Sequence, residues 1–187
     1  MITRSSARLR ILAGGIAGLA LLVGSASRAE QAQQSGSACR LLDVTELETA
    51  LKGKASTKPS GSRQSVPQAM TLDECSVVLD GPGPRDKTPV NLRIVTDLPM
   101  DGAQAVQVRN RGQASESQWK TAGARLEQGT VGSAICILTG RPSVASHTTC
   151  SIPRGSGYLE LDVIGNVASL PSIQTVGALL AKAATRR

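Results

Sequence analysis

Aromatic side chains are almost absent from this sequence of 187 residues. It has no phenylalanine, one tryptophan (Trp119) and one tyrosine (Tyr158). Valine, isoleucine, leucine and alanine must therefore build any hydrophobic core. Two aromatic residues also provide no row of stacking platforms for single-stranded nucleic acid. We expect no nucleic-acid partner.

The excess of positive charge lies mostly in the first 29 residues. The formal net charge is +7, and residues 1–29 hold four arginines and no acidic residue. Subtracting those four from 21 leaves 17 basic residues against 14 acidic ones, a net charge of +3. Such a balance is ordinary for a globular domain and gives no electrostatic footprint of a nucleic-acid or membrane-surface binder.

The sequence also lacks a long hydrophobic run. The apolar stretch 9–23 follows Arg4 and Arg8, and Ser27-Arg28-Ala29 supplies small residues at a cleavage position. This order is typical of a secretory signal peptide. The stretch is shorter than the roughly 18–20 residues that span a bilayer, although a retained anchor is the alternative.

These features divide the chain into three parts. We predict a periplasmic or secreted protein with no stable membrane span after cleavage. Its parts are a signal peptide (1–29), a flexible lead-in (30–38) and a single domain (39–187).

Recognisable catalytic and cofactor motifs are missing. There is no CxxC pair, no CxxCH and no P-loop, and Gly155-Ser156-Gly157 is too short for a nucleophile elbow. His147 is the single histidine, so a zinc site would lack its usual complement of ligands. We expect no catalytic, cofactor or metal residues. The alternative is a metal- or haem-binding accessory protein, or a small hydrolase, that uses His147.

Four cysteines are present, and an exported chain is expected to oxidise them. Three pairings are possible, and chain order with strand geometry favours Cys39–Cys75 and Cys136–Cys150. A hairpin centred on Ser143 makes Cys136 and Cys150 cross-strand neighbours, with Cα atoms roughly 4.5 Å apart at a non-hydrogen-bonded position.

The same hairpin separates the histidine from the cysteines. Side chains alternate along a strand, so His147 points to the face opposite Cys150 and pairs with Thr139. The stretch is therefore interpreted as a disulfide-clamped hairpin, and its tip (140–146) as a candidate contact surface. Possible interaction residues are Arg141, Ser143, His147 and Trp119, although Trp119 is interpreted first as a core anchor.

Hydrophobic periodicity and turn residues predict three helices and six strands. A first helix follows the N-cap Asp43, and a polar loop is predicted at 54–70. Leu159, Leu161 and Val163 are expected to face the core, with Glu160 and Asp162 on the outward face. The other predicted elements are strands at 75–80, 90–96, 105–109, 133–139, 146–152 and 157–164 and helices at 115–129 and 171–184.

Such one-sided strands with capped helices predict an α+β fold, in which an antiparallel sheet carries helices packed on one face and two disulfides.

The segments "ACRLLDVTELETALKG", "DECSVVL", "VGSAICIL", "GYLELDVIG" and "IQTVGALLAKAA" carry a family resemblance. Together they look like small secreted or lipid-anchored bacterial envelope proteins of uncharacterised function, best known in actinobacteria. The resemblance covers most of the chain after residue 29 and implies a small α+β envelope domain without catalytic residues. The chain departs from that group in lacking a lipobox and in having Ser76-Val77 after the second cysteine.

These observations predict an exported, non-enzymatic envelope protein. It would act as a protein-binding or accessory module whose partner is another envelope protein. A further alternative is an inhibitor that presents loop 54–70 or 81–89 to a secreted hydrolase.

Overall fold

The computed structural model describes residues 37–66, 70–81, 86–115 and 122–186. Contacts group the chain into two units, of which the second spans Ala32–Arg187. All described residues belong to the second unit. The predicted signal peptide therefore lies outside them.

Short helices at the start of the described chain precede eight strands, with one helix in the middle and one at the end. In chain order the elements are α1 (Ser37–Leu41), α2 (Val44–Leu51), β1 (Lys54–Ala55), β2 (Ser60–Val66), β3 (Met70–Asp80), β4 (Lys87–Thr96), α3 (Gly102–Gln113), β5 (Arg125–Val131), β6 (Ala134–Gly140), β7 (Ser146–Arg154), β8 (Gly157–Gly165) and α4 (Ile173–Thr185).

The strands form one antiparallel sheet in the order β1-β3-β4-β8-β7-β6-β5, and β2 pairs with β3 beside β1. The α+β class, the antiparallel sheet and the two disulfides are confirmed. The three strands predicted after residue 132 are present as β6, β7 and β8. The first helix is also present, and Asp43 caps it by accepting a hydrogen bond from the Glu46 N–H at 3.1 Å.

One transverse row of the sheet holds three of the four cysteines. Cys75 pairs with Leu92, Leu92 with Leu161, Leu161 with Cys150, and Cys150 with Cys136. The disulfides are Cys39–Cys75 and Cys136–Cys150, as predicted. The Cα atoms of the second pair lie 4.1 Å apart, which is the direct cross-strand position that a hairpin about Ser143 requires.

Helix α4 covers the face of the sheet that carries this row. Ser172 caps it by accepting a hydrogen bond from the Thr175 N–H, and Val176 and Leu180 are fully buried. The aliphatic core confirms that the chain packs without phenylalanine. Its largest fully buried apolar side chains are Leu79, Leu92, Ile137, Leu138, Leu159, Leu161 and Leu180.

The predicted loop 54–70 is wrong, because this segment forms β1, β2 and the start of β3. Strand β3 begins at Met70, five residues before the predicted start, and its extra length provides backbone partners for β2. The serine-rich sequence of β2 is compatible with this arrangement, because an exposed edge strand needs no apolar face. Residues 54–55 and 60–66 are therefore strands and not part of an extended recognition loop.

The predicted strand 105–109 is also wrong, because these residues form the middle of α3. Asp101 caps this helix by accepting hydrogen bonds from the N–H groups of Ala103 and Gln104. The alternation of Ala105, Val106 and Gln107 is too short to separate a strand from a helix, and the upstream cap decides between them.

The predicted helix 115–129 does not form over its second half. Gly123 has a φ of +79°, and Arg125–Val131 pairs with β6 as strand β5. Leu126 is exposed rather than buried on a helix face. The proposed core anchor Trp119 lies outside the described residues. Among the described helices, none is long and apolar enough to cross a membrane.

Candidate functional site

The face of the sheet opposite α4 is polar at its centre, and we call it the polar face. Two adjacent transverse rows supply its side chains. The first row holds Ser76, Asn91, Asp162, Thr149 and Ile137, and the second holds Glu74, Arg93, Glu160, Ser151 and Ile135.

Glu160 is the central acidic group of the polar face, with no solvent exposure. Arg93 Nη1 donates to its Oε1 at 3.2 Å, and Ser151 Oγ donates to its Oε2 at 3.3 Å. The Arg109 guanidinium of α3 forms an ion pair with the same Oε2. A buried carboxylate requires such partners, because leaving it unpaired in the interior is costly.

Asp162 is the second buried carboxylate of this face. Thr149 Oγ1 donates to its Oδ1 at 2.8 Å, and His147 Nδ1 lies 3.2 Å from the same oxygen. Burial alone raises the pKa of the Asp162 carboxyl group. The hydrogen bond and charge of His147, the Thr149 hydroxyl and the charge of Arg93 outweigh burial and hold that pKa below its ordinary value.

Glu160 and Asp162 lie on the predicted outward face, but the expectation that they meet solvent is wrong. Helix α3 covers them, because its Val106 side chain is buried and its Arg109 reaches Glu160. The start of α3 is fastened to the β7–β8 turn by a hydrogen bond of 2.8 Å from the Gly102 N–H to the Gly155 carbonyl. Arg93 joins the group from the other side through ion pairs to Glu74 and Glu160.

His147 and Asp162 have the geometry of a base and the group that orients it. A carboxylate only accepts hydrogen bonds, so an Nδ1–H donor would leave Nε2 as the acceptor. Within the described ranges, His147 Nε2 receives no hydrogen bond from a serine, threonine or cysteine. Nor do three metal-ligating side chains cluster anywhere in those ranges. The charged groups instead neutralise one another.

An open groove lies beside this charged cluster, between α3 and the strands β5 and β6. We call it the α3–β5 groove. Its volume is about 350 Å³, within the range of about 300–1,000 Å³ that small recognition pockets occupy. Its lining residues are Gln107, Asn110, Arg111, Ala114, Gln128 and Ile135.

The polar side chains of the groove are available to a ligand. Gln107, Asn110, Arg111 and Gln128 form no side-chain hydrogen bond or ion pair with another described residue. None of the described residues that line the groove is a carboxylate. Arg93 and Arg109, by contrast, are both neutralised on the polar face. The groove therefore presents a guanidinium and three amides, which suit an acidic and hydrogen-bonding ligand.

The structure separates the predicted interaction residues. Arg141 and Ser143 are exposed at the tip of the β6–β7 hairpin, where Ser143 has a φ of +66°. His147 lies on the polar face beside Asp162, and its predicted cross-strand partner Thr139 is confirmed. Trp119 lies outside the described residues. Arg141, Ser143 and His147 are not among the described residues that line the α3–β5 groove.

The apolar pattern alone does not single out the groove residues, because the alternation at 105–109 is too short to separate a strand from a helix. The sequence does contain a signal for helix α3. Asp101 is a suitable N-cap, and Val106, Arg109 and Gln113 follow it at a helical spacing of three and four residues. Gln128 belongs to an edge strand and has no apolar pattern that would single it out.

No family model matches this chain, and no curated protein is similar to it at a significant level. Among solved structures, the extracellular domain of PknH from Mycobacterium tuberculosis is similar in part. The TM-score is 0.45 and the sequence identity 15%, over 81% of this chain and 94% of that chain.

Proposed function

We propose that this chain is an exported, non-enzymatic module that binds another protein of the bacterial envelope, with the α3–β5 groove as its docking surface. The observation that carries the proposal is the contrast between two neighbouring sites. The buried charged groups of the polar face form ion pairs with one another. Arg111 and the amides of the groove, in contrast, form no side-chain hydrogen bond or ion pair with other described residues.

Export is supported by the two disulfides, since such bonds persist in oxidising compartments. The N-terminal pattern supports the same compartment from the sequence. A disulfide-stapled sheet is also a rigid frame, and rigid frames present docking groups with little loss of conformational freedom on binding.

The alternative of a small hydrolase has one observation in its favour, the His147–Asp162 pair. A base that is hydrogen-bonded to an orienting carboxylate supplies two of the three members of a catalytic triad. The third member, a nucleophile bonded to the imidazole, has no candidate among the described residues, so we place binding first. Labelling by a fluorophosphonate that is lost in His147→Ala would reverse this order.

Affinity capture from the envelope of the cells that make the protein tests the proposal. The wild-type chain and Arg111→Glu are compared as baits. Arg40→Glu is the matched control, because Arg40 is an exposed arginine on α1. We expect the wild type and Arg40→Glu to retain one stoichiometric partner and Arg111→Glu to lose it.

Two results would contradict the proposal. Recovery of no stoichiometric protein by the wild type would remove the binding function. Equal recovery by Arg111→Glu would place the docking surface outside the groove. Circular dichroism of each variant verifies that the fold is intact.

A further inference from the structure

Strand β5 forms the outer edge of the described sheet next to the α3–β5 groove. It pairs with β6 on one side, and no described strand pairs with its other side. Five of its seven residues are exposed. Alternate residues of an edge strand direct their backbone N–H and C=O groups away from the sheet. An extended segment from a partner can use these groups to add as another strand.

The groove lies on the same face as the side chain of Gln128. Residues directly opposite each other on paired strands project to the same face of a sheet. A residue of an added strand opposite Gln128 would therefore project beside the groove. The α3 wall with Arg111 stands across from that position.

The charge of the groove selects the incoming side chain. Arg111 is exposed and forms no ion pair with a described residue, and the described lining residues are otherwise uncharged. A guanidinium pairs with a carboxylate through two parallel hydrogen bonds, which gives both energy and geometry. The amides of Gln107 and Asn110 can donate to and accept from groups next to that carboxylate.

We infer that the partner contributes an extended segment, which adds as a strand to the free edge of β5 and places an acidic side chain against Arg111 in the groove. This inference rests on the proposed protein-binding function and states the chemistry of the partner. Backbone hydrogen bonds to β5 give affinity, and the groove gives preference for the acidic residue.

Selection from a library of displayed random peptides tests the inference without knowledge of the partner. The intact disulfide-bonded chain is the target, and Arg111→Gln is used for counter-selection. We expect enrichment of peptides with alternating β-branched residues and one acidic residue. An enriched peptide is then compared with its twin in which glutamine replaces the acidic residue.

The expected loss of affinity in the twin is about tenfold, as for a hydrogen bond to a charged group. Arg111→Gln should show the same loss, and Arg40→Gln should bind like the wild type. Amide chemical-shift changes in NMR should fall on β5 and on the side-chain amides of Gln107, Asn110 and Gln128. Shift changes on β2, the opposite edge, would overturn the inference.

Three other results would overturn it as well. They are enrichment without acidic residues, equal binding by Arg111→Gln, and enrichment of no peptide at all. Concentration-dependent dimerisation through β5 in the absence of peptide would assign the edge to a second copy of the chain. If Arg111→Glu loses the envelope partner but no peptide is selected, the proposed function stands and strand addition fails.

Discussion

Glu160 connects three elements through a single carboxylate. Its oxygens receive Arg93 of β4, Arg109 of α3 and Ser151 of β7. Few apolar contacts hold α3 in place, because Gly102 and Val106 are its buried residues. The ion pair with Glu160 is therefore a principal link between this helix and the sheet.

Replacement of that carboxylate should loosen α3. We expect Glu160→Gln to lower the free energy of unfolding by roughly 2 kcal/mol, because two partly buried guanidiniums lose their common acceptor charge. Urea denaturation measures this loss, and hydrogen exchange should show faster exchange of the α3 amides. Glu127→Gln on exposed β5 is the control, with an expected change within about 0.5 kcal/mol. Equal stability of both variants would contradict the role given to Glu160.

The lowered pKa of Asp162 predicts a dependence of stability on pH. Because the pKa is lower in the folded than in the unfolded chain, the ionised group stabilises the fold above its unfolded pKa. That contribution is lost as the pH falls through the folded pKa. We expect Asp162→Asn to be less stable than the wild type at neutral pH and the difference to shrink in acid. Urea denaturation across this range measures it, and a constant difference would contradict the prediction.

Two helical glycines differ in the space beside them. A Cβ atom at Gly177 of α4 would lie 2.5 Å from the Cβ of Val131, whereas nothing lies within 4 Å of a Cβ at Gly112 of α3. The first glycine permits the close approach of α4 to β5. The second occupies open space.

Alanine should therefore have opposite effects at the two positions. We expect Gly112→Ala to raise the free energy of unfolding by up to about 1 kcal/mol through helix propensity. Gly177→Ala should lower it by about 1–3 kcal/mol, as overpacking does. Thermal or urea denaturation measures both changes. In a Val131→Gly background, which lacks the clashing Cβ, Gly177→Ala should cost less than it does in the wild type, and an equal cost would refute the steric explanation.

At the scale of elements, the sequence predicts strands with a clean burial pattern better than those without one. Strand β8 is predictable because Leu159, Leu161 and Val163 alternate with polar residues. Strand β2 is not, because its residues are polar on both faces and β3 alone provides its hydrogen bonds.

The candidate site is less predictable for a related reason. Cross-strand register brings Glu74, Arg93 and Glu160 together from distant parts of the chain. Only the placement of α3 then decides that Glu160 is buried, whereas Glu74 and Arg93 stay partly exposed, and that placement is not encoded in any local pattern.

At the scale of the whole molecule, export and oxidation should occur together. We expect the chain made with its own leader to reach the periplasm of a bacterial host and to begin at Glu30, as N-terminal sequencing would show. After denaturation without reductant it should contain no free thiol. The same chain made without residues 1–29 in the cytosol should contain four thiols and unfold at lower urea concentration, because disulfides constrain the unfolded chain. An intact leader on the exported protein would indicate a retained anchor.

Three of the four cysteines lie in one transverse row of the sheet. Formation of both disulfides therefore depends on the correct register of the strands. A slip of one residue in β7 would turn Cys150 to the polar face and leave Cys136 without its neighbour. A slip in β3 would do the same to Cys75 and Cys39. A sheet with the wrong register therefore retains reactive thiols, whereas a correctly paired sheet has converted its thiols to disulfides. In an oxidising compartment we expect such chains to remain open to thiol exchange until the register is correct.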